Sequence, residues 1–410
     1  MAILGAMVIP IVNRIEAKTG VSRAALADSF LIALRRALAP YRGCGHGCRY
    51  CDGRAEKYFV AGDFERDIAV RMNLPGLVAR DVAAGALSAE FGAIGLGSGV
   101  TDVYQPLEQT LGLTRQTLEA LLPAGNPISV LTKGTLVLRD FDLLARFPKV
   151  LVMVTLTTLD PAVAAVIEPG APAPAERLEV VRRARAAGFR AGIMAMPLCP
   201  GISDGEADFD ALLDAAERAG AEFVWPGGLT LRPGRQKALF RHLVGEHWPA
   251  LGGRYDHVFG ENRASGMPRA AWSGALALRA ARQAEARGMP AMPPFDIHRE
   301  LLSRADSLFV LFCHMQELYP LRGVDTRPLR AATAAYGDWL RRERGALRRK
   351  RIAVLPGDPF PLSRLLDERL AALCAGGGFA EIVGNEKLAR LARQLVLEGR
   401  RFDYPTLKVV

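Results

Sequence analysis

Between residues 93 and 231 short apolar runs alternate with amphipathic stretches, and this alternation constrains the fold more than any other feature of the chain. The runs are AIGLGS (93–98), PISVLT (127–132), VLVMVTLT (150–157), RAGIMAMP (190–197) and EFVWPGGLTL (222–231), each of strand length. Apolar residues at helical spacing fill the gaps, near 75–90, 114–122, 138–147, 174–187 and 206–219. Strands separated by helices pair as parallel neighbours, because a hairpin cannot join parallel strands. A first strand around Ala37 to Arg42 brings the number of βα units to six. Six are too few for the closed eight-unit barrel, which leaves an open partial barrel or a doubly wound sheet.

The flanks read differently. Residues 1–36 are expected to form an N-terminal helical segment, with Ser22 able to cap a helix and apolar spacing over Ala25 to Leu38. Past about Arg235 the strand signal fades, and helical patterns over 268–288, 296–319 and 325–350 take over. The Gly- and Pro-rich stretch 252–268 marks the boundary. The expected organisation is therefore a segment 1–36, an α/β core 37–250 and a mainly helical extension 251–410, with small strands at Ile352 to Leu355 and Phe379 to Val383. A chain of 410 residues, half of them hydrophobic, has material for a large core. No apolar run approaches the roughly 18 residues that cross a bilayer, and the first residues lack a basic signal-peptide region, so a soluble cytoplasmic protein without a membrane partner is expected. The net charge of +10 comes from 53 basic against 43 acidic residues. Arginine dominates the basic set, as coding composition alone can produce, so the charge is a weak pointer to an anionic partner. Its densest cluster, Arg341 to Arg351, reads as a solvated helix face before it reads as a phosphate patch.

Six cysteines in a chain of this length, without a signal peptide, do not suggest disulfides. Cys44, Cys48 and Cys51 crowd together as CxxxCxxC in YRGCGHGCRYCDG, whereas Cys199, Cys313 and Cys374 are scattered. Gly43, Gly45 and Gly47 let the backbone wind so that three thiolates converge. Three thiolates fill three corners of a [4Fe-4S] cluster and leave one iron open. A structural zinc ion wants four ligands, and the fourth would have to be His46 or a distant group. The alternatives to a cluster enzyme are a zinc-stabilised nucleic-acid-binding protein and a redox sensor.

The motif, with Tyr50 before its last cysteine and a βα array behind it, resembles the signature of the radical S-adenosylmethionine (SAM) enzymes. A narrower resemblance, to the spore photoproduct lyase-like group, rests on YRGCGHGCRYCDGRAEKYF, TDVYQPLE, SVLTKG, VTLTTLD and MPLCPGISD, and spans about residues 36–240. The resemblance implies a partial (β/α)6 TIM-like barrel, a [4Fe-4S] cluster held by Cys44, Cys48 and Cys51, and S-adenosyl-L-methionine on its open iron. It further implies a reductase or flavodoxin-type electron donor, with nucleic acid as the first substrate to consider.

Parallel barrels bind ligands where the strands end. There the sequence offers Ser98, Thr101 and Asp102 for the cofactor's ammonium, with Gly97 and Gly99 giving room. Lys133 is a point charge for its carboxylate, and Thr155 and Thr157 are candidates for its ribose hydroxyls. Tyr50 is expected beside the adenine. By resemblance, Thr101, Lys133 and Thr155 are contact positions. Spore photoproduct lyase needs a hydrogen-donating cysteine where this chain has Gly99. Cys199 and Tyr104 are the remaining candidates for hydrogen return or radical relay, and His298 and His314 read equally as ordinary or as functional histidines.

Overall fold

The stretches Ile128–Thr132 and Val150–Val154 are buried at every position, as expected of parallel strands covered on both faces. In the computed structural model, which describes residues 10–410 apart from 23, 86, 88, 351 and 353–356, they sit at the centre of a six-stranded sheet. Its order is Arg35–Arg36, Ile94–Leu96, Ile128–Thr132, Val150–Thr155, Arg190–Leu198, Val224–Gly228. All neighbours are parallel, with Ile94 opposite Ile128, Ile128 opposite Val150, Leu151 opposite Arg190 and Ile193 opposite Val224. Spatial order follows chain order without a reversal, and a doubly wound sheet requires one. The fold is the partial (β/α)6 barrel.

Alternate residues of each strand face opposite sides. Val130, Val152, Val154 and Ile193 share a core with the crossover helices Leu74–Ala83, Leu113–Leu121, Pro174–Ala186 and Glu206–Arg218. The helix Ala270–Ala286 joins this outer layer through Leu276, Ala280 and Ala284. On the inner side, Leu131, Leu151, Met153, Met194 and Trp225 share a core with Phe295–Leu301, Arg304–Leu318, Arg327–Arg348 and Pro361–Gly376. Arg304–Leu318 is buried at 11 of its 15 residues, so the C-terminal part fills the concave side of the sheet. No helix among the described residues is long and apolar enough to cross a membrane.

Three expectations are corrected. The described part of 1–36 contains no helix: Ile11–Ile15 is a strand, parallel to Asp67–Arg71, in a small side sheet. Over 25–38 the Asp28 carboxylate accepts the backbone N–H groups of Phe30 and Leu31, a local turn that competes with a helix, and Ile32 lies at φ 50°. The first barrel strand is Arg35–Arg36, and Tyr41–Arg42 pairs with the side sheet instead. Gly378–Val383 is a short helix rather than a strand, bounded by Gly377 and Gly384 at positive φ. The strand expected at Ile352 to Leu355 lies outside the described residues except for Ile352.

In the basic cluster Arg341, Arg342, Arg348, Arg349 and Lys350 are exposed, as a solvated helix face requires, and Arg344 alone of its described basic residues turns inward. Arg344 is 1% exposed, 2.6 Å from the Asp306 carboxylate and 3.4 Å from Glu90. Glu90 also pairs with Arg348 at 2.8 Å and with Arg35 of the first strand. These charges tie the long helix Arg327–Arg348 to the barrel. Removing one member of a buried network leaves the others uncompensated, so Arg344→Met is expected to cost about 3–5 kcal/mol. Denaturant unfolding checks this; a loss under about 1 kcal/mol would show that the anchor lies elsewhere.

Candidate functional site

The cysteine loop follows Tyr41–Arg42 and is wound by its own backbone: Gly47 N donates to Cys44 O at 3.1 Å and Cys51 N to Cys48 O at 3.2 Å. Gly43 and Gly47 occupy the left-handed region, at φ 88° and 62°, which side chains other than glycine seldom adopt. Arg54 donates to the carbonyls of Cys48 and Gly47, both at 2.8 Å. The segment after the second barrel strand clamps the loop from one direction. Gln105 donates to Gly43 O at 3.2 Å and accepts from Gly45 N at 2.8 Å, and Thr101 Oγ1 donates to Gly43 O at 2.9 Å. The chain after the fourth strand clamps it again: Gly170 N donates to His46 O, and a Cβ at Gly170 would stand 2.4 Å from Gly45 O.

Cys44, Cys48 and Cys51 line one cavity of about 220 Å³ at the carboxyl ends of the strands. All six cysteines are free. Burial pushes the Cys44 and Cys48 thiols up and takes Cys51 to about 12, so the bare thiols are neutral and metal uptake must release protons. Among the described residues no group of three His, Cys, Asp or Glu is placed to hold a single metal ion. His46 Nδ1 lies 3.5 Å from Asp102.

Lys133, at the end of the third strand, reaches the same cavity and is bound from below. Its Nζ donates to Glu168 Oε1 at 2.6 Å and to Tyr50 OH at 2.7 Å. Glu168 is fully buried and also accepts from Tyr50 OH, from Arg177, and from Thr157 Oγ1 at 2.7 Å. Burial works to raise the Glu168 pKa, but Lys133 and Arg177 override it and hold the carboxyl well below the usual carboxylate range. Two cations, Lys133 and Arg177, thus meet one carboxylate, while a second carboxylate, Asp102, lines the cavity nearby.

Residues 38–214 match the radical SAM superfamily. They form a radical SAM domain. The chain is 33% identical over 226 residues to an uncharacterized protein of Mycobacterium tuberculosis, covering 53% of this chain and 65% of that one. It is 27% identical over 210 residues to an uncharacterized protein of Methanocaldococcus jannaschii, covering 51% of this chain and 74% of that one. The chain thus spans a little under two thirds of the mycobacterial protein's length. A solved structure of spore photoproduct lyase is similar at TM-score 0.47 and 17% identity, over 67% of this chain and 79% of that one. The superfamily works with a [4Fe-4S] cluster and S-adenosyl-L-methionine. The residues of the cysteine-lined cavity fit both, because three free thiols and a lysine ammonium line the same space.

Within the radical SAM domain, Tyr50, Ser98, Thr101, Asp102, Lys133 and Thr155 all line that cavity. Several have partners of their own. Asp102 accepts from Tyr104 N, Thr132 Oγ1 and Lys133 N at 2.8, 2.7 and 2.6 Å, so its carboxylate braces the end of the third strand. Ser98 Oγ accepts from the backbone of Val100 and Thr101. Three expectations are corrected by position. Thr157 lies past the end of the fourth strand, and its hydroxyl serves Glu168 instead of the cavity. Cys199 is fully buried outside the cavity, its Sγ 3.9 Å from Pro197 O. Tyr104 is buried outside the cavity as well.

Glu168, Arg177, Gln105 and Gln236 were not singled out by the sequence. Gln236 donates to Tyr50 O at 2.7 Å from the helix Arg235–His247. Arg177 did carry a signal: it shares a helix face with Val181 and Ala184, where an arginine needs a buried counter-charge. Glu168→Gln leaves Lys133 and Arg177 without that counter-charge and is expected to lower stability by about 3–5 kcal/mol at pH 7. A depressed carboxylate pKa contributes stability above the unfolded value of about 4.3, and the contribution is lost as pH falls through the folded value. The gap between wild type and variant should therefore be full at pH 7 and narrow below about pH 4. Unfolding curves from pH 7 to 3 read it, and a gap of constant size would contradict this role for Glu168.

Proposed function

We propose that the chain is a radical SAM enzyme in which Cys44, Cys48 and Cys51 ligate three irons of a [4Fe-4S] cluster, leaving the fourth for S-adenosyl-L-methionine. The observation that supports this most is the convergence of three free thiols and Lys133 on one cavity at the strand ends. When bound, the two groups supply reductive cleavage of the sulfonium to a 5′-deoxyadenosyl radical, which takes a hydrogen atom from the substrate.

The chain's own residues bind, orient and exclude water. Lys133 lines the cavity and offers its ammonium to the cofactor's carboxylate. Thr155, at the end of the fourth strand, is placed for a ribose hydroxyl, and Tyr50 borders the same space. Phe30, Leu131, Met194 and Met196 line the cavity with apolar surface. Phe30 leans on Trp225 at 5.5 Å, and Trp225 on His314 at 5.2 Å, so the C-terminal helices back this apolar floor. Such a floor keeps water from a reactive intermediate.

The substrate is read as something other than the spore photoproduct. Gly99 lines the cavity, and a Cβ built on it meets nothing within 4 Å, so the donor cysteine of the lyase is replaced here by open space. The net charge of +10 supports a nucleic acid, although Arg344, in the densest basic cluster, is turned inward.

Anaerobic reconstitution, followed by dithionite and S-adenosyl-L-methionine, tests the reading through 5′-deoxyadenosine detected by mass spectrometry. It should form in the wild type and vanish in Cys48→Ala; a full cluster that yields none would overturn the proposal. Lys133→Met should weaken cofactor binding roughly 10- to 100-fold, the loss of one charge-assisted contact of about 1.5–3 kcal/mol. Repair of the spore photoproduct at a useful rate would overturn the choice of substrate alone.

A further inference from the structure

Behind the segment that carries Ser98, Val100 and Thr101 lies a second cavity, a groove of about 510 Å³. Those three residues line both cavities, so a single segment of chain forms the wall between them. Gly53 lets the cysteine loop close against this wall: a Cβ added there would stand 2.4 Å from Val100 O. Cys51 Sγ lies 3.9 Å from the same oxygen. The groove is one residue away from a cluster thiol.

The groove is lined by the cations Arg36, Arg42, Lys57 and Arg71 and by no carboxylate among the described residues. Arg36 is paired with Asp28. Arg42, Lys57 and Arg71 have no ion-pair partner among the described residues. Arg71 is held by the carbonyls of Ala39 and Tyr41 at 2.7 and 3.4 Å, contacts that leave its charge unneutralised. Lys57 Nζ sits 4.6 Å from the centre of the Tyr58 ring, and Phe59 beside it is 78% exposed. An unbalanced cationic groove with an exposed aromatic has the chemistry of a protein interface for an acidic partner.

We propose that this groove docks an acidic flavodoxin-type electron carrier, which delivers its electron through the Val100 wall. The proposal rests on the function given above. One electron leaves the carrier's reduced flavin, which passes from the anionic hydroquinone to the neutral semiquinone, and the cluster gains that electron; no bond forms or breaks and no proton moves. A nucleic acid substrate suits the groove less well. Its reacting C–H must enter the cysteine cavity, on the other side of the wall, whereas an electron can cross packed protein.

The test uses reconstituted protein and a chemically reduced flavodoxin of net negative charge. Stopped-flow absorbance reads the rate of cluster reduction, and calorimetry reads binding of the oxidised flavodoxin. Lys57→Glu and the double variant Lys57→Glu, Phe59→Ser should each slow flavodoxin-driven reduction and weaken binding at least tenfold at low salt. Reduction by dithionite, and the 5′-deoxyadenosine it yields, should stay at the wild-type level, which also reports that the variants fold. In the wild type the flavodoxin rate should fall as salt rises. Wild-type flavodoxin rates in both variants would overturn the docking site alone. The same holds if a single-stranded oligonucleotide binds the groove, loses binding in Lys57→Glu, and leaves the flavodoxin rate untouched. Absence of 5′-deoxyadenosine with dithionite in the wild type would instead overturn the functional reading beneath it.

Discussion

A carboxylate removed from water stays ionised only if its surroundings replace the lost solvation, and Glu168 imposes that condition on the residues around Lys133. The groups that meet it come from separate segments: Lys133 from the end of the third strand, Arg177 from the helix after the fourth, Thr157 from the loop between, and Tyr50 from the cysteine loop. None of these positions is free to drift without exposing a buried charge. Lys133 consequently points into the cavity from a fixed base, and Tyr50 is held one residue before Cys51 by its hydroxyl and, through Gln236, by its carbonyl. The electrostatics of one side chain thus place both the cationic end of the site and part of the thiol loop.

The concave side of the sheet raises a different problem, since six strands do not close and would leave an apolar inner face in water. The C-terminal helices solve it by burial: the helix Arg304–Leu318 shares one core with Leu151, Met153 and Met194. A helix buried nearly all round cannot be held by a narrow apolar stripe alone, and here it is also pinned by charge, Asp306 to Arg344 and, through Glu90, to Arg35. The extension and the barrel therefore share one core, and the floor of the cavity, Phe30 on Trp225 on His314, is made by both.

What the sequence revealed follows from what its patterns encode. The strands from Ile94 to Gly228 were legible because strands buried over most of their length are largely apolar, and the thiol set was legible because its ligands are local in sequence. The segment 10–36 is not a helix because Asp28 redirects backbone N–H groups that the apolar spacing of 25–38 assigns to one. Tyr41–Arg42 was misplaced because two residues carry too little pattern to say which sheet they join. Within the site, residues that line the cavity at strand ends were found by position, whereas Glu168 was invisible because its partners lie up to 118 residues away in the chain. Thr157 shows the limit of strand alternation: the strand ends at Thr155, and two residues later the backbone no longer obeys a period of two.

Glycine at a few close approaches joins these features. Gly170 and Gly53 bring two loops against the cysteine loop at distances where a Cβ would collide with backbone oxygen, and Gly97, at φ 95°, does the same between the second and third strands. Close approach is what allows short hydrogen bonds to clamp the thiols in place. It also makes the partition between the apolar cavity and the cationic groove as thin as one stretch of backbone. Ser98, Val100 and Thr101 form that partition, and Gly53 lets the cysteine loop pack directly on its backbone at Val100. The same small residues that hold the cysteine loop therefore also set the thickness of the wall between the two cavities.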